Sequence, residues 1–428
     1  MNIKKQAAGN VPAAGKAHLL LFLFVPAVFA LSEPLYSPAW GFRIDLPEGY
    51  EYTGGDGKNS FSFQNEEGAI FDLMVYNRAS QTMKALVDDT TRRLNSRGDV
   101  SFFEYRDKLA ALIELNFPSP GNGTADKNNR GSGRNSGSQL EGWGLCVELG
   151  NTGNEGPEAW GRTASDSPPL LLALAYGPAG QAGLAVLHLS ALDSIAPSGA
   201  EQRFSGPIIT FAYPRGEQRK TSLAGLAVEA LVGEHDAEAA QALVDREYTI
   251  LRRYLFSSRW QEAWIRFYRA IYRDSWERLV DAAFQLERFW NVPAAGTGNA
   301  AAPAAQGEEN RVLAGNVLGW VQSFVYERDL MGSDFVNLVS AAFEGRGDCD
   351  SRALLWAIVL AQANIPAAIM VSRDYSHAMG LGDIEGPGAR FEAAGKKWLV
   401  AETTAPVSIG LIGKDVSDIE SWLAVIFE

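Results

Sequence analysis

Between residues 39 and 214 apolar and polar positions alternate in short runs, the period of strands. Phe42-Arg43-Ile44-Asp45-Leu46 and Phe61-Ser62-Phe63 alternate one for one, and 70–76 (IFDLMVY) is a longer run of the same kind. The period changes in 80–96, where Met83, Leu86, Val87 and Leu94 fall at helical spacing with Arg92, Arg93 and Arg97 around the end. Further strands are predicted near 100–105, 110–115, 142–149, 170–176 and 185–190. The region 39–215 therefore reads as α+β, an antiparallel sheet with at least one helix packed on a face in an α/β sandwich.

The pattern turns helical in 222–291. Leu223, Leu226, Ala227 and Ala230 keep helical spacing, as do Leu251, Tyr254 and Leu255, and then Trp264, Phe267, Tyr268, Ile271 and Tyr272. Such an aromatic stripe could line a groove, but its ordinary role is packing against a neighbouring segment. Two stretches break the pattern. Residues 118–139 are rich in Gly, Asn and Ser and read as a disordered insert, with a glycosylation sequon at Asn122 that chance explains as readily. Residues 292–309 are a linker of small residues. The remainder, 310–428, has the size of an ordinary domain. It predicts an amphipathic helix over 317–326 and a Gly-rich turn at 345–348. A helix over 349–363 follows, closed by Asn364-Ile365-Pro366, and then strands at 367–371, from His377, and at 397–404.

Composition changes the picture in two places. The 428 residues are 46% hydrophobic and 21% charged, ordinary for a globular chain, and the formal net charge of −13 with no long basic cluster argues against a nucleic-acid partner. The N-terminus stands apart. Lys4, Lys5 and Lys16 form a basic, acid-free lead, followed by the 13 almost wholly apolar residues 19–31, too short for a bilayer helix of about 20. With Val28-Phe29-Ala30 at the cleavage position, residues 1–30 read as a secretory signal peptide, so the protein is expected to be exported, periplasmic or extracellular. An uncleaved signal anchor in the membrane is the alternative. Export would permit a disulfide between the two cysteines, Cys146 and Cys349. Cys146, however, lies in a strand-like apolar run, where a free Cys serves as a small hydrophobe.

Cys349 has a different setting. Gly345-Arg346-Gly347-Asp348 delivers it to the start of a helix, His377 follows 377 − 349 = 28 residues later, and Glu402 comes 402 − 377 = 25 residues after that. Thiol, imidazole and carboxylate are the parts of an activated cysteine nucleophile. A helix N-terminus and a nearby imidazolium lower a thiol pKa from about 8.5, and Asp348 and Asp350, which would oppose this, are expected to face the turn or cap the helix. His377 would shuttle the proton and Glu402 would orient it, with Asp383 as competitor. The Cys349 backbone N–H is one oxyanion donor, and Trp320 and Tyr326 are candidates for a second, although core packing explains both. His188 and His235 read as structural or solvated.

The runs GRGDCDSRALLWAIVLAQANIPA, SHAMG and KKWLVAETTAP resemble the transglutaminase-like domain of bacterial papain-type cysteine enzymes, over about the last quarter of the chain. There a Gly-x-Cys turn opens the core helix, a His-Ala pair starts a strand and an acid before Thr completes the triad. The sequence departs from that pattern at Glu402, where Asp is usual, and at Met379, where an aromatic is often found. The resemblance implies acyl transfer or amide hydrolysis through a thioester on Cys349, with water or an amine as acceptor and a protein or peptide as substrate. No cofactor and no metal are expected, because no loop of calcium-site spacing is present. A non-catalytic envelope binding or scaffolding protein with the same fold is the rival reading. Oligomeric state is left open.

Overall fold

The computed structural model describes residues 33–77, 82–119, 139–150, 168–290, 306–328 and 333–427. The expected signal peptide, most of the Gly-rich insert with Asn122, and most of the 292–309 linker lie outside them. Among the described residues no helix is long and apolar enough to cross a membrane.

The chain opens with the short antiparallel pair β1 (Leu35–Tyr36) and β2 (Arg43–Ile44). Next come β3 (Glu51–Gly54), β4 (Ser60–Gln64), β5 (Ile70–Tyr76), α1 (Met83–Leu94), β6 (Val100–Tyr105), β7 (Lys108–Pro118), β8 (Gln139–Glu148) and β9 (Leu170–Pro178). The seven strands make one antiparallel sheet in the order β3-β4-β5-β9-β8-β7-β6. Central β9 is apolar at nearly every position because both its faces are covered. Leu170, Leu172 and Leu174 pack with Met83, Leu86 and Val87 of α1 on one face. Leu171, Ala173 and Ala175 pack on the other with Leu184, Leu187 and Leu192 of α2 (Ala182–Asp193). Cys146 faces α1, free and buried.

The segment expected as a strand at 185–190 is part of α2. Its run AGLAVLHLSALD is apolar on every side, so no period distinguishes helix from strand, and its 12-residue length decides for the helix. After α3 (Pro207–Ala212), the residues 223–230 expected as helix instead connect and begin a hairpin, β10 (Gln218–Ser222) with β11 (Glu229–Gly233). Gly225 turns the chain there at φ 68°, a conformation Gly adopts freely. Buried Leu223 and Ala230 are anchors spaced by the turn, not by a helix.

Three long helices follow, α4 (Asp236–Tyr254), α5 (Trp260–Arg278) and α6 (Val280–Trp290), and then α7 (Gln306–Gln322). The C-terminal part consists of β12 (Val325–Tyr326), α8 (Leu338–Glu344), β13 (Arg346–Gly347), α9 (Cys349–Gln362), β14 (Ala367–Ser372), β15 (His377–Gly382), β16 (Arg390–Ala393), β17 (Lys396–Ala401) and β18 (Leu423–Ile426). The last five strands form a sheet in the order β16-β17-β15-β14-β18, so the architecture is mixed α and β throughout. α9 is the central element. Leu354 through Leu360 are all buried, in one hydrophobic core with α4, α5, α6 and α7 on one side and β14 and β15 on the other. The aromatic stripe on α5 is consumed by this core: Phe267 meets Phe335 edge-on at 6.0 Å and Tyr272 stacks on Phe427 at 4.1 Å.

A buried ionic chain ties the helices to the first sheet region. Arg266 on α5 donates to Glu48 at 2.9 Å and to Glu247 on α4 at 2.6 Å. Arg246 in turn donates to Glu247 at 2.8 Å and to Asp193 at 2.6 Å.

Candidate active site

The turn before Cys349 is built from three local devices. α8 ends at Gly345 in the left-handed region (φ 69°), where a Cβ would also meet the Cβ of Ala224 at 2.8 Å. Arg346 and Gly347 then pair in parallel with Val325 and Tyr326. Asp348 caps α9, accepting from the Ser351 backbone N–H at 2.8 Å and from the Ser351 hydroxyl at 2.6 Å. Below the turn the buried Arg352 donates to the carbonyls of Gly347 (3.1 Å) and Phe324 (2.8 Å), with the Tyr326 ring centred 5.4 Å from its guanidinium carbon. Cys349 is thus the first residue of α9, only 7% exposed.

β15 is held against α9 by the missing side chain of Gly380. A Cβ there would lie 2.5 Å from the Trp356 ring, and Trp356 itself is fastened by donation to the Ala314 carbonyl at 3.1 Å. Close docking brings the start of β15 to the helix start, and the backbone N–H of Ala378, next to His377, reaches the Cys349 sulfur and favours its thiolate. β15 and β17 pair with Gly380 opposite Ala401. One step further along that register sets Glu402 opposite Met379, two residues from His377 on the same strand face.

His377 Nε2 and Glu402 Oε2 are 2.8 Å apart. Glu402 also accepts from the Thr404 backbone N–H at 2.8 Å and the Thr404 hydroxyl at 2.6 Å. Burial would raise its pKa, but the hydrogen bond and charge of His377, with the Thr404 bonds, outweigh burial and bring it down to about 2. The longer Glu side chain therefore reaches the imidazole. The competitor, Asp383, pairs instead with Lys396 at 2.8 Å on the surface. Because Glu402 takes Nε2, that nitrogen carries the proton and Nδ1 is the atom left for the thiol.

Around the sulfur the electrostatics differ from the expectation. Asp348 caps the helix as expected, but Asp350 turns inward, its Oδ1 3.5 Å from Cys349 Sγ. Its other oxygen accepts from the Tyr268 hydroxyl at 2.9 Å. Burial first, then the charges of Asp350 and Asp348, push the Cys349 thiol well above its ordinary range. Burial likewise raises both Asp348 and Asp350. A helix N-terminus alone does not activate this thiol. The carboxyl beside it must be neutral, or the imidazole charged, for thiolate to form.

Of the oxyanion candidates, Trp320 is spent elsewhere. It is buried, and its indole N–H donates to the Ala224 carbonyl at 2.8 Å within a cluster with Phe324 and Trp290. Tyr326 is half exposed and close enough to Cys349 that burial, followed by the thiolate charge, pushes its hydroxyl up to about 12. It holds a proton available for donation beside the sulfur. His188 is buried within α2 and His235 is the residue before α4, both outside the site.

Three contributors escaped the sequence reading. Tyr268 was legible only as a member of an aromatic stripe. Gln322, at the end of α7, donates to the carbonyls of Glu402 (2.8 Å) and Val407 (2.9 Å), clamping the loop that carries Glu402. Trp422 lies edge-on to His377 with ring centres 6.1 Å apart and covers part of the imidazole. A polar residue ending an apolar helix was the only available signal for Gln322. For Trp422 there was none.

Comparison of the chain with protein-family models and with curated proteins finds no match. Among the described residues no group of three or more His, Cys, Asp or Glu side chains converges as a metal ion would require.

Proposed function

We propose that the chain is an exported, transglutaminase-like cysteine enzyme that transfers an acyl group through a thioester on Cys349. The reading joins an N-terminal antiparallel-sheet sandwich and helical middle segment to a C-terminal papain-type α+β domain at 310–428. The observation that carries it is the His377–Glu402 pair at 2.8 Å beside the helix start that bears Cys349.

In the reaction the Cys349 thiolate adds to a substrate carbonyl carbon and the carbonyl electrons move onto oxygen. The backbone N–H of Cys349 and the Tyr326 hydroxyl are the donors for that oxyanion. Collapse expels the amine, which takes the proton from His377 Nδ1 and leaves the thioester. Water or a second amine then gives its proton to His377 while attacking the thioester carbon. Collapse releases acid or amide and returns the sulfur. Glu402 keeps the proton on Nε2 and steadies the imidazolium in both halves.

A second reading is favoured by one observation. A thiol 7% exposed with Asp350 3.5 Å away is poorly disposed to ionise, as in a non-catalytic binding or scaffolding protein. A peptidyl vinyl sulfone separates the two. The enzyme reading expects an adduct on the Cys349 peptide by mass spectrometry, lost in His377→Ala. Absence of adduct on the folded chain across about pH 5–9, with full labelling after denaturation, would favour the binding protein. Incorporation of a fluorescent primary amine into a glutamine-bearing protein, against release of new carboxylate, then distinguishes amine from water as acceptor.

A further inference from the structure

Away from the triad, a cleft of 370 Å³ opens between β2, α5 and β18. Its volume falls at the lower end of small-molecule sites, roughly 300–1,000 Å³. Four arginines, Arg43, Arg203, Arg269 and Arg273, line it with only two carboxylates, Glu33 and Asp45, a local balance of 4 − 2 = +2. The chain as a whole is at −13.

The arginines are not equally committed. Arg269 is paired with Asp45 through two bonds of 2.9 and 2.8 Å. Arg273 donates to the backbone carbonyls of Asp193 (3.0 Å) and Ile195 (2.9 Å), neutral acceptors that orient it. Arg203 is exposed, its guanidinium carbon 4.5 Å from the Trp276 ring centre. Stacking of this kind uses the guanidinium face and leaves its edge N–H groups directed outward in their plane. Tyr272 and Phe427, stacked within 3° of parallel, supply an apolar wall of the same cleft.

A planar, pre-oriented guanidinium fork beside a flat apolar wall suits one ligand chemistry. We infer that this cleft binds a small organic anion, its carboxylate or phosphate held by Arg203 and Arg273 and its apolar body against Tyr272 and Phe427. The inference is independent of the chemistry at Cys349.

Isothermal titration of the mature chain with phenyl phosphate and with phenylacetate tests it, inorganic phosphate serving as the ring-less control. Saturable binding of at least one aromatic anion is expected, tighter than inorganic phosphate. Arg203→Gln, at an exposed position, should keep the circular dichroism and unliganded melting temperature of the parent. It should weaken binding about tenfold, the loss of one charge-assisted hydrogen bond. Arg203→Lys, which keeps the charge and loses the fork, should fall between. Tighter phenyl phosphate would assign a phosphate ligand and tighter phenylacetate a carboxylate. No saturation by either up to about 10 mM, or affinity unchanged in Arg203→Gln, would overturn the site.

Discussion

Replacing Asp350 by Asn should make Cys349 a stronger nucleophile at neutral pH. Asp350 Oδ1 lies 3.5 Å from Sγ, with Cys349 buried and Asp350 half-buried. With an effective dielectric of about 20, a unit charge at that distance opposes thiolate formation by about 5 kcal/mol. At 1.36 kcal/mol per unit this is an upper bound of about 3.5 pH units of displacement. Asn keeps the volume and an oxygen to accept from Tyr268, so the substitution removes the charge and little else.

The assay is the rate of iodoacetamide alkylation of folded protein against pH, read by mass spectrometry on the Cys349 peptide. Cys146 serves as the internal reference, since burial pushes its thiol up to about 12. The midpoint for Cys349 should fall by 2 to 3 units, roughly, in Asp350→Asn. It should rise again when His377→Ala is added. An unchanged or higher midpoint in Asp350→Asn would show that no carboxylate charge opposes the thiolate. It would mean that Asp350 is neutral in the working protein and donates its proton to the sulfur.

Three further substitutions report on the frame. Glu402→Gln should cut acyl transfer by a factor of about 10² or more, by loosening the imidazole tautomer. Because the folded carboxyl titrates near 2 against an ordinary value of 4.5, its contribution to stability, at most about 3 kcal/mol, is present above pH ~4.5 and lost as pH falls toward 2; melting curves of parent and variant should converge over that interval. His188, buried on α2, is pushed down by burial to about 4 from 6.5, so stability is full above pH ~6.5 and declines between there and 4, and His188→Leu should flatten the melting temperature across that window. Arg266→Ala strands Glu48 in the interior and leaves Glu247 with Arg246 alone, and should cost about 3–5 kcal/mol in denaturant unfolding, whereas a parent-like midpoint would show that water reaches the Glu48 carboxylate.

Much of the candidate site was legible because its parts are local in sequence. The Gly-Arg-Gly-Asp turn, the N-cap and the first residue of α9 follow from backbone chemistry within a few residues. The His377–Glu402 encounter follows from strand register. The direction of Asp350 was not legible. On a helix start, consecutive residues point about 100° apart, and whether the second points to solvent or inward depends on what covers that side. Here α5 covers it, from 82 residues away in the chain. The same cause explains the misread elements. α2 packs between the sheet and α4, and its run is apolar even at the half-buried Ala185, Val186 and Leu189, so it carries no period to read.

By sequence alone 310–428 has the length of an autonomous domain, yet its contacts do not close on themselves. Asp350 takes its hydrogen bond from Tyr268, Gln362 at the end of α9 donates to the Trp276 carbonyl at 2.7 Å, Phe335 packs on Phe267 and Phe427 stacks on Tyr272, all with α5. Removing the middle helices would expose the apolar side of α9 and leave the Asp350 carboxyl beside Cys349 without its donor. The charge state of the Cys349 pocket is therefore set jointly by two parts of the chain that sequence reading separates. Any displacement of α5, including one that begins at the arginine cleft it lines, would move Tyr268 and so reach Asp350.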